Sequence, residues 1–164
     1  MRKLCGSLMV LLTTVMLSAC GFNLAGYYDV PEALRKVDLQ IPEDRPSSIR
    51  PHLNNLLAVN GIEISSKANY RLEIINERMR RRTLTMTLSA DAVEYELIGS
   101  VRFSVFDAND NPVIDNREVR AERVFNNDDN TTARDALEEQ LRSGLQEQLA
   151  QQIVRQYLSL RHAL

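Results

Sequence analysis

Four arginines in five residues, Arg78, Arg80, Arg81 and Arg82, are the densest concentration of reactive side chains in this 164-residue sequence. A guanidinium group stays charged and presents a planar fork of N–H donors, so an array of them suits phosphate and carboxylate groups. Arg134, just inside a later helical pattern, is a further basic residue able to lie at the same end of the fold. The alternative is a solvated strand face whose like charges discourage edge pairing, and the spacing leaves both readings open. Catalytic and metal sites lack their usual parts. His52 and His162 stand alone, no H-E-x-x-H occurs, and Cys5 and Cys20 do not form a ligand pair. Asp107, Asp110 and Asp115 surround a turn, but the glycine and distal glutamate of a calcium loop are missing, so they read as turn chemistry. There is no glycine-rich phosphate loop. The expectation is a protein that is not an enzyme and holds neither metal nor cofactor.

The other group with chemistry to offer is the Cys20 thiol. Arg2 and Lys3 precede an apolar run, Leu8 to Leu17, too short to span a membrane as a finished helix, and Ser18 and Ala19 supply small residues for cleavage. Leu17-Ser18-Ala19-Cys20 resembles the lipobox of bacterial lipoproteins, in which the thiol receives a diacylglyceryl group and the freed amine is acylated. Each buried CH₂ is worth about 0.8 kcal/mol and one chain is marginal, so two or three chains make a stable anchor without a transmembrane helix. Gly21 follows the cysteine where an aspartate would favour retention in the inner membrane, so the expected location is the periplasmic side of the outer membrane. There, the natural phosphorylated polyanion is the lipid A and inner core of lipopolysaccharide. Loss of residues 1–19 removes Cys5, so no internal disulfide is possible. With 22 acidic against 20 basic residues, two of the latter in the signal, a general nucleic-acid footprint is excluded.

Elements must position these groups. Residues 1–19 read as the signal peptide, 20–31 as a lipidated tether, and 32–164 as a single domain long enough to bury its own core. Val37 to Ile41 alternates as a short strand closed by Pro42 and Pro46. Ser47 or Ser48 is expected to cap a helix with Pro51 in its first turn, Ile49, Leu53, Leu56 and Leu57 on its apolar face, and Asn60-Gly61 at its end. Ile62 to Ile64 is at most a short extended piece. Tyr70 to about Leu88 reads as strand, with a turn at Ser89-Ala90-Asp91. The next strand places Val93, Tyr95, Leu97, Gly99, Val101, Phe103 and Val105 on one face. Asp107 to Pro112 is a turn, and Val113 to Phe125 a last strand with a bulge or frayed end expected at Arg123. Thr131 or Thr132 starts the final helix, Thr132 and Asp135 forming a capping pair, with a stripe of Leu137, Leu141, Leu145, Leu149 and Ile153. The order predicts an α+β fold, two helices packed on one face of a four-stranded, mostly antiparallel sheet.

With the elements in place, the chain resembles the LptE family. The residues that carry the resemblance are Cys20-Gly21-Phe22-Asn23-Leu24, Val30-Pro31, the segment Leu56 to Ile64 containing Asn60-Gly61-Ile62-Glu63, Glu94-Tyr95, and Gln152-Ile153-Val154-Arg155. The resemblance covers essentially the whole chain. It implies the two-helix, four-stranded layer, a non-enzymatic outer-membrane lipoprotein that plugs and helps assemble an LptD-type β-barrel, and assistance to lipopolysaccharide insertion into the outer leaflet. It also implies two basic positions near lipopolysaccharide. One falls on Arg134; the other falls near Leu88, which is not basic, so Arg80 to Arg82 would supply that charge from a neighbouring place. A glycolipid-binding module, or an accessory to another barrel, is the alternative role.

Overall fold

Alternating apolar residues and one long apolar stripe give a sheet backed by helices. In the computed structural model, which describes residues 30–42, 46–86, 88, 92–126 and 131–162, the chain runs β1 (Lys36–Gln40), α1 (Arg50–Val59), β2 (Glu63–Ile64), β3 (Arg71–Met86), β4 (Ala92–Phe106), β5 (Pro112–Asn126) and α2 (Thr131–Ser159). The turn at Ser89-Ala90-Asp91 lies outside the described residues, as does the tether up to Asp29, whereas α2 is already helical at Thr131, so Thr132 sits inside the helix and is not its cap.

Among the described residues the sheet has five strands in the order β2-β1-β3-β4-β5, not the four expected, and it is mixed. β1 runs parallel to both β2 and β3, whereas β3, β4 and β5 are antiparallel hairpin neighbours. The helical crossover through α1 explains the added strand, because a strand–helix–strand connection returns the chain in the same direction. Gly61, at φ +71°, ends α1 in the left-handed conformation that costs glycine little. The chain then lies beside β1, where the Glu63 and Ser65 N–H groups donate to Arg35 O at 2.8 Å and Val37 O at 2.9 Å. Two residues of β2 are too few to show an alternation in the sequence.

One face of the sheet carries the core. Leu72 and Ile74 of β3, Leu97, Val101, Phe103 and Val105 of β4, and Val119, Ala121 and Phe125 of β5 belong to one buried cluster. That cluster includes Leu53 and Leu57 of α1 and Leu145, Leu149, Ala150, Ile153, Val154 and Tyr157 of α2. The α2 stripe enters the core only at its C-terminal half: Leu141 is half-buried and Leu137 is 40% exposed. Neither Ser47 nor Ser48 caps α1. Ile49 takes the N-cap position because its side chain is wholly buried in the core, and the Ser47 hydroxyl instead lies 3.0 Å from Glu77 Oε2. Arg123 is in regular register opposite Leu97; the irregularity in β5 falls before Arg117, beside Asn116 at φ +41°.

Two contacts fix α2 on the sheet. A Cβ on Gly99 would sit 2.8 Å from Leu149 Cδ1, so the glycine in β4 makes room for the Leu149 side chain. The Tyr157 hydroxyl reaches back to Leu34 O at 3.2 Å and Lys36 O at 3.1 Å, tying the end of α2 to the start of β1. Burial, with nearby Tyr70 adding, pushes the Tyr157 phenol well above its ordinary value, so it remains a donor. Gly99→Val should destabilise by about 2 kcal/mol through overpacking against Leu149. Tyr157→Phe should cost about 1–2 kcal/mol by leaving two carbonyls short of a donor. Urea unfolding of each variant, with an unchanged m-value, measures both.

Candidate functional site

Strand geometry divides the arginine run between two faces. Before Ile75, the core-facing residues of β3 are Leu72 and Ile74; a register shift between Ile74 and Asn76 then moves the phase by one residue. Asn76, Arg78, Arg80 and Arg82 therefore lie opposite Arg102, Ser100, Ile98 and Glu96, on the face away from the helices. Arg81 lies opposite Leu97, on the helix-covered face.

Arg81 is fully engaged. Its Nη1 is 2.6 Å from Glu138 Oε2 on α2, and its guanidinium sits 4.8 Å from the centroid of the Tyr95 ring. Glu138 also accepts from Arg142 Nε at 3.0 Å and Nη2 at 2.6 Å. Arg134 stands one helical turn before Glu138, on the same strip of α2, with its guanidinium 3.4 Å from Asp135 Oδ1. The five arginines singled out in the sequence thus separate: Arg81 and Arg134 on the α2 side, Arg78, Arg80 and Arg82 on the helix-free face.

On the helix-free face, Arg82 donates through Nε to Glu96, a carboxylate only 6% exposed, and offsets its burial. Arg78 and Arg80 form no hydrogen bond or ion pair among the described residues. Nor does Arg102, which the cross-strand register brings beside Arg78. Arg78 and Arg102 line a hollow of about 270 Å³ with Asn76, Ser100 and Glu118. An adjoining hollow of about 630 Å³ includes Arg80, Ile98 and Arg120, whose Nη2 is 3.1 Å from Glu122. Arg102 stands in no basic run, and its membership in the array depends on the β3–β4 register, which the linear sequence does not display.

The remaining sequence candidates stay apart from this array. His52 is half-buried on α1 and His162 is exposed beside Arg161. Asp107 accepts from the Asn109 and Asn111 N–H groups, and hydrogen bonding to Asn111 holds its carboxyl below the ordinary range, as in an Asx turn. Among the described residues no group of three or more His, Cys, Asp and Glu could hold a metal ion, and no helix is long and apolar enough to cross a membrane. Cys20 lies outside the described residues.

Burial opposes the charge on Glu138, but hydrogen bonds and charge from Arg142 and Arg81 outweigh it and hold the carboxyl below its ordinary value of 4.5. A depressed folded-state pKa contributes stability above the unfolded value, lost as pH falls through the folded one. Glu138→Gln should therefore lower Tm most at neutral pH, and the gap from wild type should close as pH drops below 4.5. Melting curves from pH 7 to pH 3 test this; a constant gap would show that the pairing is not electrostatic.

The geometry can be set beside known proteins. The model of the LptE family, described as lipopolysaccharide-assembly, matches residues 34–157. The LPS-assembly lipoproteins LptE of Yersinia pestis (strain Pestoides F) and Yersinia pseudotuberculosis serotype O:1b (strain IP 31758) are each 29% identical over 168 residues, covering 99% of this chain and 80% of the relative. A minor lipoprotein from Acinetobacter baumannii superimposes with TM-score 0.65 at 26% identity, over 78% of this chain and 93% of the other. Lipoprotein B from Nitrosomonas europaea gives TM-score 0.69 at 21% identity, over 84% and 94%, a likeness of fold. The family match spans the helix-backed sheet from Leu34 to Tyr157, and this chain belongs to the LptE family of lipopolysaccharide-assembly lipoproteins.

Proposed function

We propose that the chain is a non-enzymatic outer-membrane lipoprotein, anchored through Cys20, that seats within and helps assemble an LptD-type β-barrel and assists lipopolysaccharide on its way to the outer leaflet. The observation that carries this reading is the helix-free sheet face. Arg78, Arg80, Arg82, Arg102 and Arg120 are interleaved there with Glu96, Glu118 and Glu122 across three strands. Such a mosaic suits a hydrated, polar lumen and is unsuited to hydrocarbon. Ile98, the apolar residue at its centre, is 4% exposed, and the exposed apolar side chain of Val124 stands apart from it beside Glu96.

Within this reading, lipopolysaccharide phosphate is taken up at Arg78 and Arg102, two guanidinium groups that share a hollow with Glu118 and form no ion pair within 4 Å among the described residues. Arg81 is committed to Glu138 and Arg82 gives one donor to Glu96, and neither lines the hollow shared by Arg78 and Arg102. Arg134 supports a second contact on the α2 side, where the resemblance placed a basic position. The acyl chains on Cys20 deliver the protein to the membrane and orient it, and the enclosing barrel supplies the larger interface.

Detergent extraction of native outer membranes, followed by affinity purification of the full chain, should recover a barrel of the LptD kind in stoichiometric amount. Isolation as a monomer would overturn the reading. Replacing Arg78 and Arg102 together by Ala should weaken lipopolysaccharide binding to the purified complex at least tenfold, since charge-assisted hydrogen bonds contribute about 1.5–3 kcal/mol each. Unchanged binding would remove the phosphate assignment while leaving the barrel role standing.

A further inference from the structure

β3 outruns its neighbour. β1 pairs with it only from Asp38 opposite Arg71 to Gln40 opposite Glu73, and Pro42, which has no N–H to donate, follows two residues later. Among the described residues no other strand lies on that side, so β3 from Arg78 to Met86 is a sheet edge. The phase of its backbone is fixed. Asp38 N–H donates to Tyr70 O at 2.9 Å, so β3 residues whose side chains face the core turn their backbone groups toward β1. Because β4 continues unbroken opposite the register shift, the same relation holds beyond it. Met79, Arg81 and Thr83, on the helix-covered face, thus aim their N–H and C=O groups at the open edge.

We propose that this edge takes up an extended segment of the partner barrel protein as an added strand, one with carboxylates at alternate positions opposite Arg80 and Arg82. The proposal rests on the barrel reading above and names the contact through which it operates. Open backbone groups on a sheet edge are satisfied by a strand, and alternate side chains of that strand give specificity. The charge of the edge decides which strand. Arg80 has no partner among the described residues, and Arg82, 58% exposed, retains donors beyond the one given to Glu96. Opposite charges directly across a strand pair are favourable and like charges are not. A second copy of this chain pairing edge to edge would oppose arginine to arginine and is disfavoured. The chain's own Cys20 to Asp29 carries one carboxylate, Asp29, and cannot match two alternate positions. The positive edge that repels another copy selects an acidic strand.

The experiment uses the full-length chain with its barrel in membranes. A photo-crosslinking side chain is placed at Thr83 or Thr85 on this edge, and at Asp115 on β5 as a comparison. Adducts from Thr83 and Thr85, which the register shift between them places on opposite faces of the sheet, should map to one barrel segment within a few residues of each other, and Arg80→Glu should lower the Thr83 adduct at least fivefold with helix content unchanged by circular dichroism. Thr83→Pro, which removes an outward N–H, should lower the Thr85 adduct similarly. A barrel that co-purifies while Thr83 and Thr85 yield no adduct, an adduct indifferent to Arg80→Glu, or an adduct to a second copy would each overturn the inference and leave the barrel role intact. A chain that recovers no barrel would overturn both.

Discussion

The one-sided burial of β4 beneath α2 is the constraint from which the rest of the molecule follows. Leu97, Val101, Phe103 and Val105 face the helices, and Gly99 makes room for Leu149 among them. Burying a large apolar side chain contributes about 1.5–3 kcal/mol, while an exposed ion pair contributes about 0–1 kcal/mol. The apolar residues therefore choose the face, and the charged residues take what is left. A slip of one residue would expose Leu97, Val101 and Phe103 and push Glu96 and Arg102 into the core. Since β4 is paired along both edges, it imposes its phase on β3 and β5. That is why Arg78, Arg80, Arg82, Arg102 and Arg120 share a surface: the arginines were sorted by leucines and valines.

Where the core runs out, polar contacts take over. The first half of α2 exposes Leu137 and half-exposes Leu141, yet the helix continues over the sheet. It is held there by Glu138, which joins Arg81 of β3 to Arg142 of its own helix, and by Gln148, whose Oε1 accepts from Arg123 Nη2 at 2.9 Å. Arg81 also stacks on Tyr95, which itself meets Phe125 with centroids 5.5 Å apart. Arg81 and Arg123 both sit on the helix-covered face, where a sequence reader expects apolar residues, because the helix above them at this end presents carboxylate and amide groups instead.

The long periodic elements were legible in the sequence because their patterns were long. β4 alternates over a dozen residues, and the α2 stripe repeats through Leu145, Leu149 and Ile153. β2 was not legible, since two residues set no period and its existence depends on α1 returning the chain beside β1. Ile49 displaced the expected serine cap because a wholly buried isoleucine outweighs a capping hydrogen bond of about 1 kcal/mol. The arginine array was legible in composition but not in direction. Counting in twos from Leu72 would turn Arg78, Arg80 and Arg82 toward the helices; the extra residue at Ile75 turns them away. No apolar residue among Arg80, Arg81 and Arg82 reveals that change of phase, and Arg102 joins only through pairing with a different strand.

The same division separates a rigid end of the molecule from a yielding one. At one end β1, β2, α1 and the C-terminal half of α2 close over a continuous apolar core, tied by Tyr157 to the carbonyls of Leu34 and Lys36. At the other, three strands and the first turns of α2 project with exposed residues from Arg80 to Met86 on β3 and little apolar burial beyond Phe125. Local stability follows the density of buried contacts, so the projecting end opens at lower free energy than the core. Ion pairs lose less than close packing does when geometry shifts, because their attraction falls slowly with distance. The end with the continuous core therefore keeps its shape, and the end held by Arg81, Glu138 and Arg123 is the one that yields to a change in its surroundings.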